Sequence, residues 1–289
     1  MTLVTGSYMR GLVKIFLFVL GVVAVMPAQA QSYYTNTELG ISLGASQYFG
    51  DLNENYGFKT ITPAYGVYVR RRMSPYIALK LSANYTQVSY DDKYNSDLYE
   101  KERNLNFTSP IFEVVAQAEF NFFKFVSGDR EYRFTPYLTG GIGVFYYNPY
   151  TTYNGEKYYL RALGTEGQNA GMGSNYGSFS ACFPIGAGFK YWIKSGINLC
   201  VEVSDRLTTT DYIDDVSSVY AGVGNFSNNP IAQALQDRSP GQTLGTQGKQ
   251  RGNTSSFDQY LMGMVSISFN FTSYQCPHSN VDDYNRVRK

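Results

Sequence analysis

The sequence predicts an all-β fold, an eight-stranded antiparallel transmembrane outer-membrane β-barrel with long external loops. Three observations predict it: an export leader, segments in which apolar residues alternate with small or polar ones, and connections that alternate between short and long.

The leader comes first in the chain. Arg10 and Lys14 precede an apolar run from Ile15 to Met26, and small residues at Ala28 and Ala30 complete a secretory signal peptide over residues 1–30. The run is too short to cross a bilayer, which takes roughly 20 helical residues. No cysteine follows the expected cleavage site, so no lipid anchor is expected there. Removing 30 of the 289 residues leaves 259, and the loss of two cations moves the formal charge from +1 to −1. So even a balance gives no electrostatic footprint for nucleic acid. With no later apolar helix in the sequence, a membrane-spanning mature chain must satisfy its backbone as a closed barrel. The 27 Tyr, 19 Phe and 28 Gly suit a protein made of strands.

Eight segments alternate. In the first, Leu39, Ile41, Leu43 and Ala45 oppose Gly40, Ser42, Gly44 and Ser46. In the second, Tyr65, Val67 and Val69 oppose Gly66, Tyr68 and Arg70. In the third, Ile77, Leu79, Leu81 and Ala83 oppose Ala78, Lys80, Ser82 and Asn84. In the fourth, Phe112, Val114, Ala116, Ala118 and Phe120 oppose Glu113, Val115, Gln117, Glu119 and Asn121. In the fifth, Leu138, Ile142 and Val144 oppose Thr139, Gly141 and Gly143. In the sixth, Phe183, Ile185, Ala187 and Phe189 oppose Cys182, Gly186, Gly188 and Lys190. In the seventh, Ile197, Leu199, Val201 and Val203 oppose Asn198, Cys200, Glu202, Ser204 and Arg206. In the eighth, Leu261, Val265, Ile267, Phe269 and Phe271 oppose Met262, Met264, Ser266, Ser268 and Asn270. One face suits lipid, and the other a narrow polar lumen.

Residues 73–75, a stretch near 127–133 and residues 194–196 make short connections. Residues 51–60, 91–104, 148–177 and 207–255 make longer ones. A sandwich has no reason to segregate loop lengths in this way, whereas an even-stranded barrel in the outer membrane does, with both termini periplasmic. The barrel is expected over residues 31–271, followed by a periplasmic tail over 272–289. Tyr65, Tyr85 and Tyr146 then fall at the outer rim and Phe122, Tyr191 and Phe271 at the inner one, as interfacial aromatics do. Pro184 sits inside the sixth strand, and a bulge is expected around it.

The inward parity carries Arg70, Lys80, Lys190 and Arg206 together with Glu113, Glu119 and Glu202. Buried charges persist only when paired, so these seven residues predict a charge network that plugs the lumen. No catalytic residue, cofactor-binding residue or metal ligand is assigned. Small-barrel hydrolases use a histidine base, and the one histidine, His278, lies beyond the last strand. The acidic stretch from Thr208 to Ser217, with Asp211, Asp214 and Asp215, opens the longest loop. Two readings stand for it: a turn whose side chains cap backbone groups, and an oxygen-rich cation site. Gly140–Gly143 and Gly186–Gly188 fall within strands and are not phosphate cradles. A helical turn or two is expected to begin near Pro230. Cys182 and Cys200 face inward out of register, as buried thiols. Cys276, in the tail, can stay unpaired, form an intermolecular disulfide or contribute to a metal site.

Four stretches, "ELGISLGASQYFGDLN", "PIGAGFKY", "TDYIDDVS" and "QRG", resemble the PorG family of small outer-membrane barrels, part of the type IX protein secretion system of Bacteroidota. The resemblance covers most of the mature chain. It implies a non-enzymatic component of protein transport, associated with a periplasmic ring of a PorK-like lipoprotein and a PorN-like protein. It implies no residue roles. On this expectation the barrel anchors or positions the ring through its periplasmic turns and tail, with Cys276 as a covalent link. The alternative is a stand-alone barrel that binds a hydrophobic ligand or an external surface through its loops.

Overall fold

The computed structural model describes residues 36–272 except 174, 195, 227 and 228. The signal peptide, the tail with Cys276 and His278, and the cleavage site lie outside the described residues.

Eight long strands form the wall: β1 (Asn36–Phe49), β2 (Thr62–Arg72), β3 (Ile77–Asp91), β4 (Asn106–Asn121), β5 (Phe134–Tyr147), β8 (Phe179–Lys194), β9 (Ile197–Thr208) and β10 (Gln259–Thr272). Each pairs antiparallel with its sequence neighbours. The ladder between β1 and β10, with Ile41 opposite Ile267, closes the barrel. Closure leaves no wall strand with an unpaired edge, which lipid would not tolerate.

The alternation in the sequence becomes two faces. Ile41, Leu43, Val67, Leu81, Ile142 and Ile185 are each more than half exposed on the outside, whereas Tyr68, Arg70, Lys80, Glu113, Glu119 and Lys190 are buried inside. A continuous apolar band of this extent is stable only against lipid. Aromatic residues end the band. Tyr65 faces Tyr85, Tyr85 faces Phe112, Phe112 faces Tyr146 and Tyr146 faces Phe179, so the long-loop rim carries a row of rings across five strands. At the opposite end Phe122, Tyr191 and Phe271 are exposed.

Two expectations about the strands change. Pro184 causes no bulge. Its pairing opposite Arg206 on β9 continues unbroken, while the β5 ladder pairs Gly140 with Ile185 and resumes at Gly143 with Cys182 in the same register. The missing donor is absorbed by a gap in one ladder, beside a glycine-rich stretch of β5, without an extra residue. The register shift in β8 lies instead between Trp192 and Lys194, next to the tight turn. The strands also outrun their alternating segments; β3 continues to Asp91 and β4 begins at Asn106, because their outer parts pair with each other above the membrane-facing band.

The long loops carry structure of their own. A hairpin of β6 (Tyr150–Tyr153) and β7 (Glu156–Tyr159) turns on Asn154 and Gly155, both at positive φ. Asn-Gly is the dipeptide such two-residue turns favour, and this signal was in the sequence. Helix α1 (Leu98–Arg103) starts at Asp97, whose carboxylate accepts from the Tyr99 amide at 2.7 Å. Helix α2 (Leu160–Leu163) is a single turn. Helix α3 (Pro230–Gln236) begins at the expected proline, capped by Asn229 accepting from the Ala232 amide at 3.0 Å.

Candidate functional site: a charge-filled lumen beneath a stitched cap

The pleat of the strands delivers the lumen charges. Residues two apart share a face, so Lys80, Glu113, Glu119, Lys190, Glu202 and Arg206 all point inward from β3, β4, β8 and β9. Glu119 is the hub. Its carboxylate meets Arg70 at 2.8 Å, Lys190 at 2.5 Å and Lys80 at 3.7 Å. Arg70 also bonds Glu38 at 2.9 Å, and Lys80 bonds Glu202 at 2.5 Å. Nearer the long-loop end Arg206 pairs with Glu113 at 3.0 Å. Neutral donors complete the shells of these carboxylates. Tyr137 donates to Glu202 at 2.7 Å, Asn84 to Glu113 at 2.7 Å and Tyr260 to Glu113 at 2.5 Å.

The structure brings all seven expected residues into two adjoining clusters and adds Glu38, which the sequence reading missed. Glu38 shares parity with Gly40 and Ser42, so extending the first segment by a single residue would have found it. With Glu38 included, four cations face four anions, and the set is neutral. A pocket between Arg70, Lys80, Glu202 and Arg206 holds about 20 Å³, room for roughly one water. Paired charges therefore fill this part of the lumen.

Above it the loops fold into a cap held by two arginines. Arg103, from α1, forms a salt bridge with Asp92 at 2.8 Å and donates to the carbonyls of Asp51 at 3.1 Å and Arg251 at 2.9 Å. Arg251 reaches Glu166 at 3.0 Å and the Asp215 carbonyl at 2.6 Å. Glu166 in turn accepts from the amides of Ser217 and Ser218 at 2.9 and 3.1 Å. These contacts join all four long loops, since Asp51, Asp92, Glu166 and Arg251 come from a different loop each.

The acidic stretch lies inside this cap and not on its surface. Asp214 accepts from the Val216 amide at 2.9 Å, the capping role expected of it, and from the Tyr48 hydroxyl at 2.6 Å. Tyr48 also bonds Asp258 at 2.7 Å, and Asp258 accepts from the Ile213 amide at 2.8 Å. Asp215 accepts from Tyr176 at 2.5 Å and from Thr165. Neither oxygen of Asp211 has a hydrogen-bond partner among the described residues. Burial pushes the Asp211 and Asp51 carboxyls up to about 8 and Asp215 to about 6. Asp214 and Asp258 rise well above the carboxylate range for the same reason, and each is raised further by the other acids nearby. Among the described residues, no group of three or more His, Cys, Asp or Glu is arranged to hold a metal ion.

Cys182 lies opposite Thr208 and Cys200 opposite Lys190, and both are buried free thiols.

The family model described as a domain of unknown function (DUF6089) matches residues 13–226. No curated protein matches this chain. Among solved structures, the chain is similar to the attachment invasion locus protein Ail of Yersinia pestis at 9% identity, TM-score 0.41, over 83% of this chain and 100% of that one. It is similar to Neisserial surface protein A at 10% identity, TM-score 0.41, over 81% and 97%. The N-terminal β-barrel domain of Pseudomonas aeruginosa OprF matches at 12% identity, TM-score 0.34, over 81% and 97%. At these identities nothing that those proteins bind transfers to this chain.

Proposed function

We propose that this chain, which belongs to the family described as a domain of unknown function (DUF6089), is a non-enzymatic outer-membrane component of the type IX secretion machinery. In this role it anchors or positions a periplasmic ring of PorK-like and PorN-like proteins. The observation that carries the reading is the charge-filled lumen. A barrel filled by paired charges under a cap that ties four loops together offers no passage for a cargo protein or solute, which favours a structural part over a channel. The resemblance of the first strand and of residues 210–217 to the PorG family supplies the machine. The short connections and the tail then face the periplasm, and Cys276 provides a covalent link to the ring.

The test is a mild-detergent pull-down of the tagged full-length protein from its native envelope, run on non-reducing and reducing gels with mass spectrometry of each band. The expected result is co-purification of a ring lipoprotein in a band that collapses on reduction. Recovery of the barrel alone would refute the anchoring role. Intact contacts and secretion in a Cys276→Ser variant would refute only the covalent link.

A second reading rests on a groove of about 200 Å³ at the long-loop end, where Phe49, Tyr56 and Phe257 stand among Asn53, Glu54, Asn253, Ser256 and Gln259. A stand-alone barrel that binds an external surface through its loops would use such a mixed aromatic and polar groove. Deleting residues 253–257 would then abolish function with normal assembly, whereas the anchoring role tolerates the deletion.

A further inference from the structure

The connection between β4 and β5, residues 122–133, is the longest at the short-turn end. It is firmly built. The Phe122 amide donates to the Pro136 carbonyl at 3.0 Å, Phe125 to Pro75 at 3.2 Å, Val126 to Tyr132 at 3.1 Å, and the Arg133 carbonyl accepts from Trp192 at 2.7 Å. Phe125 is buried beneath it. The fixed backbone shapes an open groove of about 500 Å³, lined by the rings of Tyr76, Phe122, Phe123, Tyr132 and Phe134 together with Lys124, Arg130, Glu131 and Arg133.

Two features of the groove point to one ligand. Lys124, Arg130 and Arg133 form no salt bridge among the described residues, and against the single Glu131 they leave the lining two charges positive. Lys124 is held in place, its Nζ 4.0 Å from the Tyr132 ring centroid. The rings continue into the lipid-facing wall. Phe122 packs edge-on to Phe120 at 5.7 Å, and Phe134 stacks on Phe189 at 5.9 Å, all four about half exposed. A cationic pocket at the foot of an exposed aromatic wall, at the depth where the apolar band ends, matches an anionic head carrying acyl chains.

We propose that this groove binds the phosphate headgroup of a glycerophospholipid in the periplasmic leaflet, with Lys124, Arg130 and Arg133 on the phosphate and the acyl chains along Phe120, Phe134 and Phe189. The leaflet follows from the periplasmic placement of the short connections in the function proposed above; the ligand chemistry does not depend on the secretion role. A bidentate guanidinium and an ordered ammonium are the groups that recognise phosphate.

The test is native mass spectrometry of the full-length mature protein, released from mild detergent after incubation with dioleoylphosphatidylglycerol. Wild type is expected to retain one lipid, and the Lys124→Gln/Arg130→Gln/Arg133→Gln variant to retain it about tenfold less. Removing three cations from the long-loop end instead, as Lys93→Gln/Lys101→Gln/Lys157→Gln, is expected to leave retention unchanged. Equal retention by wild type and the groove variant, or equal loss in both variants, overturns the proposal. Inorganic phosphate that displaces the lipid at equimolar concentration overturns it in favour of a free anion. A second measurement covers misfolding of the groove variant: in wild type, added lipid should slow acetylation of Lys124 and leave Lys93 unaffected, and no slowing refutes the site.

Discussion

Replacing Glu119 by Gln removes one charge from the neutral lumen while keeping nearly the same volume. In the wild type its carboxylate sits 2.5 Å from Lys190, 2.8 Å from Arg70 and 3.7 Å from Lys80, with its side chain fully buried. Arg70 keeps Glu38 and Lys80 keeps Glu202, but Lys190 loses its one salt bridge among the described residues and is left with the Asn121 side chain at 2.9 Å. Leaving one buried cation without its counter-charge costs about 3–5 kcal/mol. The assay is urea unfolding in lipid vesicles, followed by fluorescence of the single tryptophan, Trp192, with heat-dependent gel mobility as a check on folding. Adding Lys190→Met restores neutrality, and a non-polar side chain in place of a buried charge is neutral to stabilising, so the double variant should recover most of the loss. A Glu119→Gln protein within about 0.5 kcal/mol of wild type, a change expected of a neutral surface substitution, would refute the view that these charges hold one another in place. A double variant weaker than the single one would refute it equally.

Other outcomes follow from the cap and the thiols. Asp51 and Asp211 rise from 3.8 to about 8 on folding, so the folded cap binds their protons more tightly than the open one. Its stability is therefore present at low pH and lost as pH rises from about 4 through 8. Proteolytic nicking within residues 209–258 should increase between pH 6 and pH 9, and Asp211→Asn should flatten that rise. Replacing Arg251 by Met leaves Glu166 buried with no cation and should cost the cap about 3–5 kcal/mol. The same nicking assay should show open loops, while gel mobility reports an intact barrel. Cys182 and Cys200 are buried and shielded from reagent; a maleimide should label neither until the barrel is unfolded.

The barrel wall was legible in the sequence because lipid and lumen impose opposite demands on consecutive residues. Ile41 and Ser42, or Glu119 and Phe120, reveal their faces by parity alone. The short and long connections followed from the same counting, and Pro230 announced its helix. The Asn154–Gly155 dipeptide and the parity of Glu38 carry the same kind of local information about the β6–β7 turn and the lumen face.

What the sequence by itself determined is therefore the fold class, the two faces of each strand and the identity of seven of the eight lumen charges. Only the tertiary structure decided which charges meet. Contacts between Glu119 and Lys190, or between Arg206 and Glu113, depend on register and on the distance across the lumen, neither of which a single strand contains. It also decided that the Asp211 to Asp215 stretch is buried. Loops have no period to read, and the burial of these acids is set by Arg103, Arg251 and Glu166, which arrive from two other loops and from the far end of their own. The Pro184 gap has the same origin, since whether a missing donor demands a bulge depends on the neighbouring strand, and here that neighbour is the glycine-rich stretch of β5.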